Sequence, residues 1–124
     1  MNLVFTSPEH KQYFADLVSG DKRTDCIYYL LAADDVLRDH ISDVLVDGEL
    51  RKNGLRDAWQ TETSKKYYAL ALNLLYDLTF PESEPAQLWT NTTDEEAAVM
   101  YEAIDIYRGE GGYDRNTIFC DWLS

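Results

Sequence analysis

Apolar residues recur every three or four positions along most of the chain, and helix start and stop signals stand between the recurring runs. Tyr13, Phe14, Leu17 and Val18 form the first stripe. Ser7 is placed to cap it, Pro8 suits the first helical position, Glu9 favours the first turn and Gly20 ends the run. Ile27, Leu30, Leu31, Leu37, Ile41, Val44 and Leu45 predict one long helix from Asp25 to Val46, with Gly48 as its stop. Residues 47–63 hold Gly48 and Asn53-Gly54 and read as irregular, with a short helical turn around Leu55–Trp59. The segment Ser64–Leu78 is apolar on nearly every side, through Tyr67, Tyr68, Leu70, Ala71, Leu72, Leu74, Leu75 and Leu78. That coverage predicts the most buried helix. Pro81 and Pro85 mark a linker, and Thr93 with Glu96 three residues on is a capping box. It opens a helix that reaches Arg108, with Gly109 as the C-cap. Ile118, Phe119, Trp122 and Leu123 have the spacing of a short last helix, and no segment alternates as a strand would.

These elements predict an all-α fold, a compact orthogonal or bundle-like array of four main helices with a short C-terminal fifth. One domain spans 1–124, with 110–124 as a flexibly attached segment. Composition is consistent with this, since 124 residues that are 45% hydrophobic and 13% aromatic can bury a core. Charge adds a functional bias. Asp and Glu number 23 against 11 Lys and Arg, a net of -12. Such a field repels phosphate backbones and anionic membranes and attracts cationic protein surface. Met1–Phe5 does not begin a secretory signal, and no run approaches the ~18 apolar residues of a membrane span. Cys26 and Cys120, far apart and outside any C-x-x-C, suit free thiols in a reducing cytoplasm, with a bridge between the two left open.

Candidate chemistry is sparse. There is no phosphate-binding G-x-x-x-x-G-K-[ST], no G-x-S-x-G and no H-E-x-x-H. Asp43–Gly48 fails as a calcium loop because Leu45 stands where an oxygen ligand is needed. With only His10 and His40 available, we expect no catalytic residue, no metal and no cofactor. Asp35, Asp39, Asp43 and Asp47 recur every four residues. On one helix they form either a solvated face or a row of anions turned to a basic partner, with Trp122 as an exposed anchor. Asp34 and Arg38 fall inside the apolar stripe and are expected to be paired or otherwise hydrogen-bonded there. Trp59, Gln60, Thr61, Ser64 and Asn73 read as a structural polar cluster, and Trp59 and Trp89 as core.

Four patterns together resemble an uncharacterised family of small proteins from Gram-positive gut bacteria and their phages and mobile elements. They are Glu9-His10-Lys11 with Phe14, Arg38-x-His40-Ile41, Leu55 with Trp59-Gln60-Thr61-x-x-Ser64, and Leu70-Ala71-x-Asn73-Leu74. The resemblance covers the chain up to about Pro81, and Tyr101-Glu102-Ala103-Ile104 is similar to the family's last helix. It implies company with mobile elements but no activity. The expectation is a protein that binds a basic protein partner, as an anti-CRISPR-like inhibitor of host defence does when it occludes a nucleic-acid channel. The alternative is an accessory or regulatory domain, homodimeric, with incidental acidity.

Overall fold

The computed structural model describes residues 5–47, 49–76 and 92–108. Within them the protein is mostly helical, with six α-helices, four of them long. The order is α1 (Pro8–Leu17), α2 (Lys22–Ala32), α3 (Asp35–Asp39), α4 (Ile41–Val44), a two-residue antiparallel pair β1 (Leu45–Val46) and β2 (Glu49–Leu50), a 3₁₀ turn (Lys52–Arg56), α5 (Glu62–Tyr76) and α6 (Asp94–Arg108). Gly109, Trp89, Trp122, Cys120, the last turn expected to reach Leu78 and the short C-terminal helix lie outside the described residues.

The helices begin where local chemistry dictates. Ser7 caps α1 by accepting from His10 N at 3.1 Å, with Pro8 just inside. Asp21 caps α2 through Thr24 N at 3.1 Å. Thr61 and Ser64 cap α5 reciprocally, Ser64 N donating to Thr61 Oγ1 at 3.0 Å and Thr61 N to Ser64 Oγ at 2.7 Å. Gln60 closes this cluster, donating to Gly54 O at 3.0 Å and accepting from Ser64 Oγ, so the polar group before α5 is structural as expected. At α6 the capping box forms in both directions, with Glu96 N to Thr93 Oγ1 at 3.1 Å and Thr93 N to Glu96 Oε1 at 2.9 Å.

The long helix expected over Asp25–Val46 is three helices instead. Asp34 adopts an extended backbone, and its carboxylate accepts from Val36 N at 3.1 Å and Leu37 N at 3.2 Å. It thereby ends α2 and starts α3, because a short acceptor side chain competes with the backbone for these N–H groups. Of the two outcomes expected, Asp34 and Arg38 are therefore not paired with each other but otherwise hydrogen-bonded. Arg38 turns back to donate to Ala32 O at 2.6 Å, satisfying a carbonyl left open at the end of α2, and it pairs with Asp35. A second break falls at His40, whose Nδ1 bonds Val36 O at 2.9 Å and whose ring stacks on Trp59 at 4.0 Å between centroids. The chain then makes the β1–β2 pair, Leu45 opposite Leu50 and Val46 opposite Glu49, which no alternation foreshadowed. Asp47 sits there at φ 54 in the left-handed region that Asp tolerates.

Helix α2, rather than α5, is the hub of the core. It packs against α1, α5 and α6 and buries seven residues of its eleven, Asp25, Cys26, Ile27, Tyr29, Leu30, Leu31 and Ala32. Helix α5 buries Ser64 and the run from Lys66 to Leu72, but its last turn, from Asn73 to Tyr76, is only half-buried. Leu70 faces the core as expected and Leu74 packs at its margin. Gly54 is held by close approach, because a Cβ there would lie 2.8 Å from Tyr68 Cζ while the Tyr68 hydroxyl donates to Arg51 O.

Two buried polar side chains tie the core to its loops. The Asp25 carboxylate, wholly buried, accepts from Ser19 N at 2.8 Å, Ser19 Oγ at 3.0 Å and Gly20 N at 2.9 Å. Gly20, at φ 92, makes that turn without strain. His10 is also wholly buried, amid Phe5, Phe14 and Tyr29. Its Nδ1 accepts from Thr6 N at 3.0 Å and its Nε2–H donates to Tyr29 O at 2.9 Å, which assigns the neutral Nε2–H tautomer. Burial lowers its pKa to about 3.

Candidate functional site

Two surface features carry charge in a pattern that chemistry can use. The first is the acidic edge. Asp35, Asp39, Asp43 and Asp47 are all exposed, yet they do not form a ladder on one helix. Asp35 and Asp39 share α3, Asp43 belongs to α4 and Asp47 to the turn after β1. The breaks at Asp34 and His40 confine the i,i+4 relation on a single helix to Asp35–Asp39. The Asp35 side chain is 86% exposed even while paired with Arg38. Trp122, the other expected contact residue, lies outside the described residues.

The second feature is a cleft of about 380 Å³ where the starts of α1, α3 and α6 meet α5. Its walls are Thr6 and Ser7, Asp34 and Asp35, Thr63 and Tyr67, and Thr93, Glu95 and Glu96. Four of these follow from a local rule: Ser7, Asp34 and Thr93 are cap residues, and Glu96 is the return arm of a capping box. Four carboxylates thus line one cleft, two already with cationic partners. Asp35 pairs with Arg38, and Glu96 meets the Lys66 ammonium at 3.4 Å with both side chains only 8% exposed. Burial works to raise the Glu96 pKa, but the Thr93 N–H, the Thr63 hydroxyl and Lys66 outweigh it and hold the carboxyl below its ordinary value. Its Oε2 has no hydrogen-bond partner among the described residues.

Tyr67 forms the apolar wall of the cleft. It is 2% exposed, and its hydroxyl makes no hydrogen bond among the described residues. Burial pushes its pKa up, and the charges of Glu96, Asp34 and Glu95 add to that. These three carboxylates line the cleft together with Tyr67. Sequence reasoning missed this assembly. Its parts come from residues 6–7, 33–35, 63–67 and 93–96, and the only local signals were caps, which mark helix starts and not where those starts converge.

Other chemistry is thin. Among the described residues no group of three or more His, Cys, Asp and Glu could hold a metal ion. No helix of the described residues is long and apolar enough to cross a membrane. Cys26 is a buried free thiol that donates to Arg23 O at 3.2 Å, and burial pushes it up to about 12, far from a reactive thiolate. His40 is held by Val36 O and Trp59.

No curated protein and no solved structure matches the chain. A family model matches residues 1–119, which spans every element described above. The chain belongs to a family of unknown function, DUF6075.

Proposed function

We propose that the protein acts by binding a protein partner that presents a basic surface, and that the acidic edge from Asp35 to Asp47 with the adjoining cleft is the contact face. The observation that carries this reading is Asp35, whose exposed carboxylate is one of the four recurring aspartates and also lines the cleft. A net charge of -12 steers such a face toward cationic surface from a distance. The partner class that fits is a nucleic-acid-binding protein whose basic channel the chain occludes, as an inhibitor of a host defence effector encoded by a phage or mobile element does.

The test is association kinetics with a purified basic nuclease of the host across a salt series. Changing Asp35, Asp39 and Asp43 together to Asn should slow association by roughly tenfold at low salt and leave the complex less salt-sensitive, with the fold intact. An association rate that is the same in the triple variant and the parent at every salt concentration removes this face. Self-association without any basic partner would instead point to an accessory, homodimeric role.

A further inference from the structure

We infer that the cleft between the starts of α1, α3 and α6 is a seat for one guanidinium group, supplied by an arginine of the partner. The inference rests on the partner reading for the source of the arginine, but the site itself stands on separate observations.

The cleft combines three properties that a guanidinium requires and an anion or an apolar group does not. It presents acceptors on several sides, from Asp34, Glu95 and Glu96 and from the hydroxyls of Thr6, Thr63 and Thr93. It carries a net negative balance, because Arg38 and Lys66 offset only Asp35 and Glu96 and leave Asp34 and Glu95. It also holds a polar group with unmet capacity, Glu96 Oε2, buried and without a hydrogen-bond partner among the described residues, beside the 2% exposed Tyr67 that lines the same cleft. At about 30 Å³ per water the cleft of about 380 Å³ has room for roughly a dozen waters that a ligand would displace. A planar guanidinium can lie against the phenol ring while its five donors reach the surrounding oxygens. An ammonium has three donors on one point and cannot span acceptors on opposite walls. The N-terminal ends of α1 and α6 oppose any cation here, and the carboxylates of Asp34 and Glu95 are set against them.

The experiment titrates N-acetyl-arginine methylamide into the full chain and follows backbone amide shifts by NMR. The neutral isostere N-acetyl-citrulline methylamide and inorganic phosphate serve as comparison probes. The expected result is a saturable shift at Ser7, Asp35, Thr63, Thr93 and Glu95, at least tenfold weaker with citrulline. Tyr67→Phe keeps the ring and removes only the unbonded hydroxyl. It should weaken arginine binding roughly three- to tenfold while the melt stays level or rises. Glu95→Gln, at an exposed position, should weaken binding without altering the fold, and Asp16→Asn, exposed and outside both features, should leave it unchanged. Equal shifts with arginine and citrulline, saturable phosphate binding in place of arginine, or shifts spread evenly over all exposed carboxylates would each overturn the assignment. An arginine probe that binds nowhere, beside salt-dependent association with a basic protein, removes the cleft and spares the acidic edge. A probe seated in the cleft, beside a partner indifferent to the Asn variants, upholds the cleft and removes the edge.

Discussion

His10 holds the N-terminal segment to the core through two bonds that need a neutral ring, one accepted from Thr6 N and one donated to Tyr29 O. A proton on Nδ1 would abolish the first bond and place a charge among Phe5, Phe14 and Tyr29. The folded pKa of about 3 lies below the 6.5 of the unfolded chain, so the unfolded state takes the proton first. The His10 contribution is whole above pH 6.5 and declines as pH falls toward 3, by up to about 1.4 kcal/mol per unit. Denaturant titration should show about 2 kcal/mol lost between pH 7.5 and 5 in the parent and much less in His10→Gln, whatever that variant loses at neutral pH. Equal pH dependence in both chains would mean that the histidine is not the cause. Its position could be read from the sequence, but its role could not. A lone helical histidine gives no sign of the carbonyl 19 residues on that will accept its hydrogen bond.

At the level of elements, the starts of α1 and α6 were legible because capping is decided within four residues, and Ser7-Pro8-Glu9 and Thr93–Glu96 contain the whole of it. The interruption of the Asp25–Val46 stripe was not. Ile27, Leu31, Leu37, Ile41 and Val44 keep helical spacing through all three pieces, since α2, α3 and α4 turn those residues to one core. What decides the break is a choice between two partners for Asp34, an arginine or two backbone N–H groups, and spacing cannot rank them. The hairpin had a sign, Asp47-Gly48, that also reads as a helix stop. The observed arrangement changes what substitutions should do. Asp34→Ala removes the cap of α3 and should cost about 1 kcal/mol in a thermal melt. Arg38→Ala strands no buried carboxylate, because Asp35 is exposed, and should cost about 1–2 kcal/mol through the bond to Ala32 O. A loss from Arg38→Ala of 3 kcal/mol or more would restore the buried-pair account.

For the molecule as a whole, the spacing of apolar residues foretold a helical core, and the four long helices agree with that reading. It did not foretell which helix is central. Apolar coverage favours α5, yet centrality belongs to α2, which touches three other long helices and buries Asp25 and Cys26 along with its aliphatic residues. The position of Cys26 makes the molecule its own reporter. The thiol is wholly buried and held protonated, so an alkylating reagent can meet it only during an opening of the helix on which α1, α5 and α6 converge. In a Cys120→Ser background, labelling by iodoacetamide should follow the population of that opening and slow about tenfold for each 1.4 kcal/mol of added stability. Labelling at the rate of a free peptide thiol would show α2 to be open for much of the time. Read in the presence and absence of a binding protein, the same clock would register occupancy of a distant surface as a change in how often the interior breathes.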